Sequence, residues 1–378
     1  MPGRVRAGIV GMGFMGQVHA RAIRAAGGEV AAVADSAPAG AEQAARLIGG
    51  DCRAATFDGL LQSADLDVIH ICTPNHLHHE QALAVIEAGK HVVCEKPLAT
   101  SESAARQLVA AAAAAGLVAT VPFIYRFYPS VREARARVGR GDAGRLRVLH
   151  GSYLQDWLAS SEDNNWRVSA ALGGPSRAFG DIGVHWCDLL EFTSGHRITR
   201  VTARMLTAHS DRGSADGDGA GAVGTEDVAT LLFETDQGAI GSAVMSQITL
   251  GRKNRLWFSL DGDLASLCFD QELPELLWVG GRDASSLVLR GSAGISPEAA
   301  RYNILPVGHP QGYQDSFNAF VADTYQAIGG EKPEGLPTFA DGWRAAAITG
   351  AVLESARSGS WVEVTWSPRS LSFVTDPR

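Results

Sequence analysis

The stretch "GIVGMGFMG" at residues 8–16 decides how the chain is read. An apolar run, "VRAGIV", leads into Gly11, Gly13 and Gly16, a GxGxxG spacing that ends a strand and opens a helix. The first glycine permits a tight turn, the second lets the backbone approach a pyrophosphate, and the third lets helix and strand pack closely, while the helix N-terminus favours negative charge. Glycine-rich turns are common, so the spacing alone says little; its context says more. The next strand candidate, "EVAAVADS", ends on Asp35, nineteen residues past Gly16, where a carboxylate can hold both hydroxyls of a ribose. The alternative is a structural turn followed by a surface aspartate. A carboxylate there repels the extra phosphate of NADP, and no arginine follows in Ser36-Ala37-Pro38 to receive it, so NAD is the expected cofactor.

Outward from this stretch, short apolar runs alternate with Ala-rich helical periods from Val5 to about Thr120. The strand candidates are "VRAGIV", "EVAAVAD", "AATF", "VIHICTP", "HVVCEKP" and "VATVPF", with "HLHHEQALAVIEAGK" and "SESAARQLVAAAAAAG" among the helices between them. Such alternation predicts parallel strands joined by right-handed crossovers, a doubly wound Rossmann sheet. Gly89 and Gly116 stand where helix C-terminal glycines belong. After Phe123 the rhythm changes to longer alternating runs such as "RLRVLHGSYLQDW", "RITRVTARMLTA" and "NRLWFSLDGDLASLCFD". These predict a C-terminal α/β domain on a large, open, mostly antiparallel sheet with helices on one face. The expected division is a cofactor domain at 1–123, a substrate-binding and oligomerisation domain at 124–366 whose helix near 338–357 packs back on the first, and a tail at 367–378. The Gly/Asp/Ser-rich segment 210–227 reads as a mobile hairpin connection.

At 378 residues the chain is too long for one ordinary core and suits two domains. A net charge of −8 argues against nucleic acid or anionic membrane as the main partner. No apolar run is long enough to span a bilayer, and the first strand begins within a few residues of Met1, so neither a membrane segment nor a signal peptide is expected. Five scattered cysteines, never in a CxxC spacing, read as free thiols of a reducing cytoplasm.

Two further stretches carry chemistry. Thr73-Pro74-Asn75 falls at the carboxyl end of the fourth strand, the crevice where ligands lie in such sheets. His76, His78 and His79 follow, but no carboxylate or cysteine completes a metal set, so no metal is expected. "HVVCEKPLAT" (91–100) ends the fifth strand on the same edge with Glu95, Lys96 and Pro97. A lysine there can stabilise alkoxide character as hydride leaves a substrate hydroxyl; equally, it can be a polar strand exit. "GGPSRAFGDIGVHWCDLLEF" places Asp181 and His185 four apart on one helical face, with Asp188 a turn beyond. Histidine is the usual proton carrier at neutral pH, and a carboxylate can tune it; a helix-start aspartate and a core histidine are the plain alternative.

Together "GIVGMGFMG", Asp35, "CTPNHLH", "CEKP" and "DIGVHWCDL" resemble the glucose–fructose oxidoreductase, inositol dehydrogenase and MocA family of NAD(P)-dependent sugar and cyclitol oxidoreductases. The resemblance extends to "PTFADGWRAA" (337–346) and so covers nearly the whole chain. It implies Lys96, Asp181 and His185 as catalytic residues, and a dimer or tetramer formed through the C-terminal sheet. It implies cofactor contacts at Gly11, Gly13, Phe14, Met15, Gly16, Asp35, Ser36, Thr73, Pro74, Asn75, His78, Glu95, Lys96 and Arg126, with Trp166 and Arg167 beside the nicotinamide. Tyr125-Arg126 departs from the family's Asn-x-Arg. "YLQDWL", "SQITLGRKNRLWF" and "LPVGHPQGYQDSFNAF" are similar to a narrower group of levoglucosan dehydrogenase-like pyranoside dehydrogenases. They supply Tyr153, Gln155, Trp157, Arg252, Asn254 and His309, which join Lys96, Tyr125, Asp181 and His185 as expected sugar contacts: rings for C–H faces, amides and charges for hydroxyls. The reading is an NAD-dependent dehydrogenase of a pyranose or anhydrosugar. The alternatives are a myo-inositol or other cyclitol dehydrogenase, an NAD-retaining redox-elimination glycosidase or epimerase, and last a non-catalytic sugar sensor.

Overall fold

A computed structural model describes residues 4–212 and 221–366. Residues 213–220 of the expected hairpin connection, and the expected tail at 367–378, lie outside the described residues. The chain divides into two compact units. The first runs to Pro122 and also takes Phe317–Ala347 and the residues from Thr365; the second comprises Phe123–Ser316 and Ile348–Val364.

In the first unit, β1 (Arg6–Val10), β2 (Glu29–Ala34), β3 (Arg53–Ala54), β4 (Val68–Ile71), β5 (His91–Cys94) and β6 (Ala119–Thr120) form one sheet in the order β3-β2-β1-β4-β5-β6. Every pairing is parallel. The helices between them are α1 (Phe14–Ala25), α2 (Pro38–Ile48), α3 (Phe57–Gln62), α4 (His78–Glu87) and α5 (Glu102–Ala115). Strands covered on both faces are mostly apolar, which is why β1, β2, β4 and β5 are rich in Val, Ile and Ala and buried almost to the last residue, with His70 of β4 a buried polar exception. Local signals set the helix ends: the Ser101 side chain accepts from the Ala104 amide at the start of α5, and Gly116 ends it in the left-handed region. The reversal of strand order between β1 and β4 puts their carboxyl ends, Gly11 and Cys72–Thr73, beside one another.

The second unit holds β7 (Leu146–Leu154), β8 (Ile198–Leu206), a two-residue ribbon of β9 (Asp211–Arg212) and β10 (Gly221–Ala222), β11 (Val228–Thr235), β12 (Ile240–Ser246), β13 (Arg255–Gly262), β14 (Ser266–Asp270), β15 (Leu276–Gly280), β16 (Ser285–Leu289) and β17 (Val362–Glu363). Nine of them make a sheet in the order β16-β15-β14-β13-β7-β12-β11-β8-β17. It is antiparallel except that β12 runs parallel to β7. Alternate residues bury one face: Leu149 and Tyr153 of β7, Leu256, Phe258 and Leu260 of β13, Leu267 and Phe269 of β14. The helices α6 (Pro129–Arg140) and α8 (Val184–Ser194) pack on strands β7, β13, β14 and β15. A short helix, α7 (Ala170–Gly173), precedes α8. On the other face Val148, Leu232, Ile240, Val244 and Leu287 are exposed.

Candidate active site

The first unit brings the cofactor residues to one sheet edge. Gly11 has φ +88°, and a Cβ there would lie 2.7 Å from the Cys72 carbonyl oxygen. A Cβ on Gly16 would lie 2.2 Å from the Gly11 carbonyl oxygen, whereas one on Gly13 would meet nothing within 4 Å. So Gly11 is required by the turn, Gly16 by helix packing, and Gly13 faces open space where a pyrophosphate fits. Helix α1 starts at Phe14 with no side-chain hydrogen bond at its Gly13 cap, and its N-terminal end favours negative charge. Asp35 accepts from the Ser36 amide through Oδ1 at 2.8 Å and lines a cleft of about 480 Å³ with Met12, Arg21, Arg24 and Gly40. These residues fit a dinucleotide with free ribose hydroxyls.

Thr73, Pro74 and Asn75 leave β4 at the same edge, Asn75 opening a short 3₁₀ turn into α4. The Thr73 hydroxyl donates to Gln81 Oε1 at 2.6 Å. His78 is buried and clamps two loops: its ring nitrogens sit 2.8 Å from the carbonyl oxygens of Thr73 and Pro97. His79 meets Gln107 instead. Glu95 is not turned to the sheet edge. It is buried, with Oε1 at 3.0 Å from His19 Nε2 and Oε2 accepting from the Lys96 amide at 3.1 Å. The Lys96–Pro97 peptide is cis.

The second unit assembles a polar cluster from distant stretches. The start of the expected helix is a π-helical turn, Phe179–Gly183, which carries Asp181 before α8 carries His185. Such turns recur at functional sites. Buried Glu226 holds the approach, accepting from Ser176 Oγ, the Arg177 amide and the Phe179 amide. The His185 ring stands edge-on to Tyr125 and Phe123, at centroid distances of 5.2 and 5.7 Å. A Cβ on Gly151 would lie 2.1 Å from the Trp257 carbonyl oxygen and 2.9 Å from Trp186 Nε1, so this glycine lets α8 sit down on the sheet. Trp186 Nε1 donates to that same carbonyl at 2.9 Å.

Asp181 and Trp157 fix the direction of every hydrogen bond in the cluster, because a carboxylate only accepts and an indole only donates. Gln247 Nε2 donates to Asp181 Oδ2 at 2.9 Å and to Gln155 Oε1 at 3.4 Å. Gln155 Oε1 also accepts from Trp157 Nε1 at 2.8 Å, and Gln155 Nε2 donates to Asn254 Oδ1 at 2.8 Å. Tyr153 donates to Asn254 Oδ1 at 2.8 Å, Asn254 Nδ2 donates to the Tyr125 oxygen at 3.3 Å, and Tyr125 closes the ring onto the Tyr153 oxygen. Burial pushes both phenols up, with the neighbouring charge of Asp181 adding to it, so both stay neutral donors. Arg167 lies over the Trp166 ring, 4.4 Å from its centroid, with Nε 3.6 Å from Asp181 Oδ1.

Thus Tyr125, Tyr153, Gln155, Trp157, Asp181, His185 and Asn254 come together, with Trp166 and Arg167 alongside. Two expected sugar contacts do not join them. Arg252 is half-buried and paired with Glu272. His309 is exposed, and its backbone carbonyl accepts from buried Arg290, which ties down the 303–311 loop. Arg126, expected as a cofactor contact, makes a buried two-point pair with Asp188 and stacks on Phe192. Sequence reasoning missed Gln247. Its signal was position: it follows the end of β12 as Gln155 follows the end of β7, and those two strands run parallel.

Among the described residues no group of three or more His, Cys, Asp or Glu is placed to hold a metal, and no helix is long and apolar enough to cross a membrane.

A parallel sheet with this glycine turn, joined to an open sheet bearing a His/Asp cluster, defines an NAD-binding oxidoreductase, and family models agree. Residues 5–123 match the oxidoreductase family with an NAD-binding Rossmann fold, and residues 131–268 match the GFO/IDH/MocA C-terminal domain. The chain belongs to the GFO/IDH/MocA family. It is 32% identical to levoglucosan dehydrogenase of Pseudarthrobacter phenanthrenivorans, over 94% of this chain and 97% of that one. It is 34% identical to inositol 2-dehydrogenase 2 of Saccharopolyspora erythraea, over 62% of this chain and 64% of that one. A solved levoglucosan dehydrogenase in complex with NADH and levoglucosan superposes with a TM-score of 0.89 at 30% identity, covering 96% of this chain and all of that one.

Proposed function

We propose that the protein oxidises a secondary hydroxyl of a pyranose or anhydrosugar of the levoglucosan type, with NAD as hydride acceptor. The observation that carries this reading is the cluster of neutral amides and phenols running from Trp157 to Asp181. Amides and hydroxyls with fixed directions, set among aromatic rings, recognise a polyhydroxylated ring better than an acid or an amine.

When bound, NAD supplies the carbon that receives the hydride. His185 takes the hydroxyl proton, since imidazole titrates near working pH. Asp181, gripped by Gln247 and Arg167, orients that ring and offsets the imidazolium charge. Lys96, standing on the turn that ends β5, polarises the substrate oxygen as negative charge grows on it. Asp35 holds the ribose, and the Gly11–Gly16 turn holds the pyrophosphate. The five free thiols fit a reducing cytoplasm. The exposed apolar residues of the open sheet face fit a dimer or tetramer.

A panel of levoglucosan, glucose, glucosides and inositols, followed by NADH absorbance, tests the reading. Stoichiometric NADH with a pyranose or anhydrosugar supports it. Turnover of inositols alone makes the enzyme a cyclitol dehydrogenase, and aglycone release without net NADH makes it a redox-elimination glycosidase.

A further inference from the structure

Behind Lys96 the first unit carries a buried string of titratable groups that the reaction above leaves unused. Glu95 Oε1 meets His19 Nε2 at 3.0 Å, His19 Nδ1 meets His70 Nδ1 at 2.8 Å, and His70 Nε2 meets the Tyr325 hydroxyl at 3.1 Å. The four residues come from α1, β4, the exit of β5 and the helix α9 (Tyr313–Ile328), and each is at most 8% exposed. His19 is further fixed edge-on against Phe317, at 4.7 Å between ring centroids.

The protons along the string are counted from the Glu95 end. Burial alone would raise the Glu95 carboxyl, but the hydrogen bond and charge of His19, with Lys96 and His78 nearby, hold it below its ordinary value, so it is an anion that only accepts. His19 Nε2 must therefore carry a proton. Burial, and secondarily His19, push His70 well below the usual imidazole range, so it is neutral. One proton lies between the two Nδ1 atoms, and the Tyr325 phenol, pushed well up by burial, stays protonated beside His70 Nε2. The other groups acting on that carboxylate are few: it raises the buried thiols of Cys72 and Cys94 and meets the charges of His78 and Lys96. Tyr325 feels Asp67.

The far end of the string matters because of what Glu95 does with its second oxygen: Oε2 accepts from the backbone amide of Lys96. We propose that His19, His70 and Tyr325 are positioning residues for Lys96, acting through Glu95 to fix the turn on which the lysine stands and the charge behind it. The inference rests on the reading of Lys96 as the group that polarises the substrate oxygen.

The test is a double-mutant cycle on the holoenzyme, using levoglucosan or whichever panel sugar gives the highest kcat/KM. Tyr325→Phe removes one hydroxyl at the end of the string remote from Lys96 and keeps the ring. It is expected to lower kcat roughly three- to tenfold, the scale of one neutral hydrogen bond, with NAD affinity unchanged. In a Lys96→Met background the same substitution is expected to leave the residual rate unchanged, since there is no lysine left to position. Glu95→Gln, measured in the same cycle, should lower kcat further and shift the pH–rate profile, and its effect should likewise vanish beside Lys96→Met. Unchanged kcat in Tyr325→Phe, or equal losses in both backgrounds, overturns the proposal, because a purely structural string would act regardless of Lys96. Near-normal turnover in Lys96→Met alone would overturn the role of the lysine and this inference with it.

Discussion

Gln247→Met separates catalysis from stability at one buried position. Gln247 is fully buried; Nε2 serves Asp181 and Gln155, while Oε1 has no hydrogen-bond partner. A charge-assisted bond to a carboxylate is worth about 1.5–3 kcal/mol, and a buried acceptor left unpaired costs about 1–3 kcal/mol. Methionine has nearly the length of glutamine, loses both terms and adds no polar atom. The two changes offset each other in folding, so stability by urea titration should stay within about 1 kcal/mol. They do not offset in the reaction. Asp181, largely buried, loses the donor that favours its ionised form and fixes its direction. At about 1.4 kcal/mol per tenfold, kcat/KM should fall roughly tenfold to a hundredfold. The assay is initial NADH formation, beside the urea midpoint. Unchanged kcat/KM would show that Asp181 needs no such partner, and the role given to the cluster would fall.

Other substitutions test other parts. Asp35→Ser with Ala37→Arg should shift preference from NAD toward NADP, since it removes a like charge from a cleft already lined by Arg21 and Arg24; equal preference in the unaltered enzyme would count against the role of Asp35. Asp227 lies fully buried between Arg177 and Arg212, and although burial would raise its carboxyl, the hydrogen bond and charge of Arg177 and the bond from Arg212 hold it low. Its contribution to stability is therefore present above the unfolded carboxylate value of about 3.9 and is lost as pH falls through the lower folded value. Asp227→Asn should cost about 3–5 kcal/mol at neutral pH by leaving buried cations uncompensated, and a loss below about 1 kcal/mol would refute this. Light scattering should give a dimer or tetramer, and Leu232→Arg with Val244→Arg on the open sheet face should yield monomers; a monomeric parent at micromolar concentration sinks the idea.

Much of the first unit is legible in sequence because its determinants are local. The glycine turn, the acid at the end of β2 and the cap at Ser101 each act within a few residues, and strands buried on both faces are mostly apolar. The open sheet is legible as alternation, but its strand order is not: nothing near Ile240 says that β12 will lie parallel to β7. The site divides the same way. Asp181, His185, Tyr153 and Asn254 stand in segments rich in polar and aromatic side chains, whereas Gln247 becomes visible only once two strand ends distant in sequence are aligned. Arg252 and His309 mislead for the converse reason. Their residue types suit a sugar, but Glu272 and the Arg290-bound loop settle where they go. Glu95 stands beside Lys96 in sequence, yet a histidine 76 residues earlier decides which way it turns.

The parallel pairing of β7 with β12 also bears on how the enzyme forms. Val148 faces Ile240, so this pair closes a loop of some ninety residues, whereas β1–β2 and β4–β5 in the first sheet each close about twenty and β1–β4 about sixty. Closing a long loop costs entropy before any contact rewards it, and topologies dominated by such contacts fold slowly. Gln155 and Gln247 meet only when that loop is shut. Recovery of dehydrogenase activity on refolding is therefore the last event, trailing the return of helical signal from α1 to α5, and a chaperone that shelters the unpaired edge of β7 would raise the yield of active enzyme more than its rate of collapse.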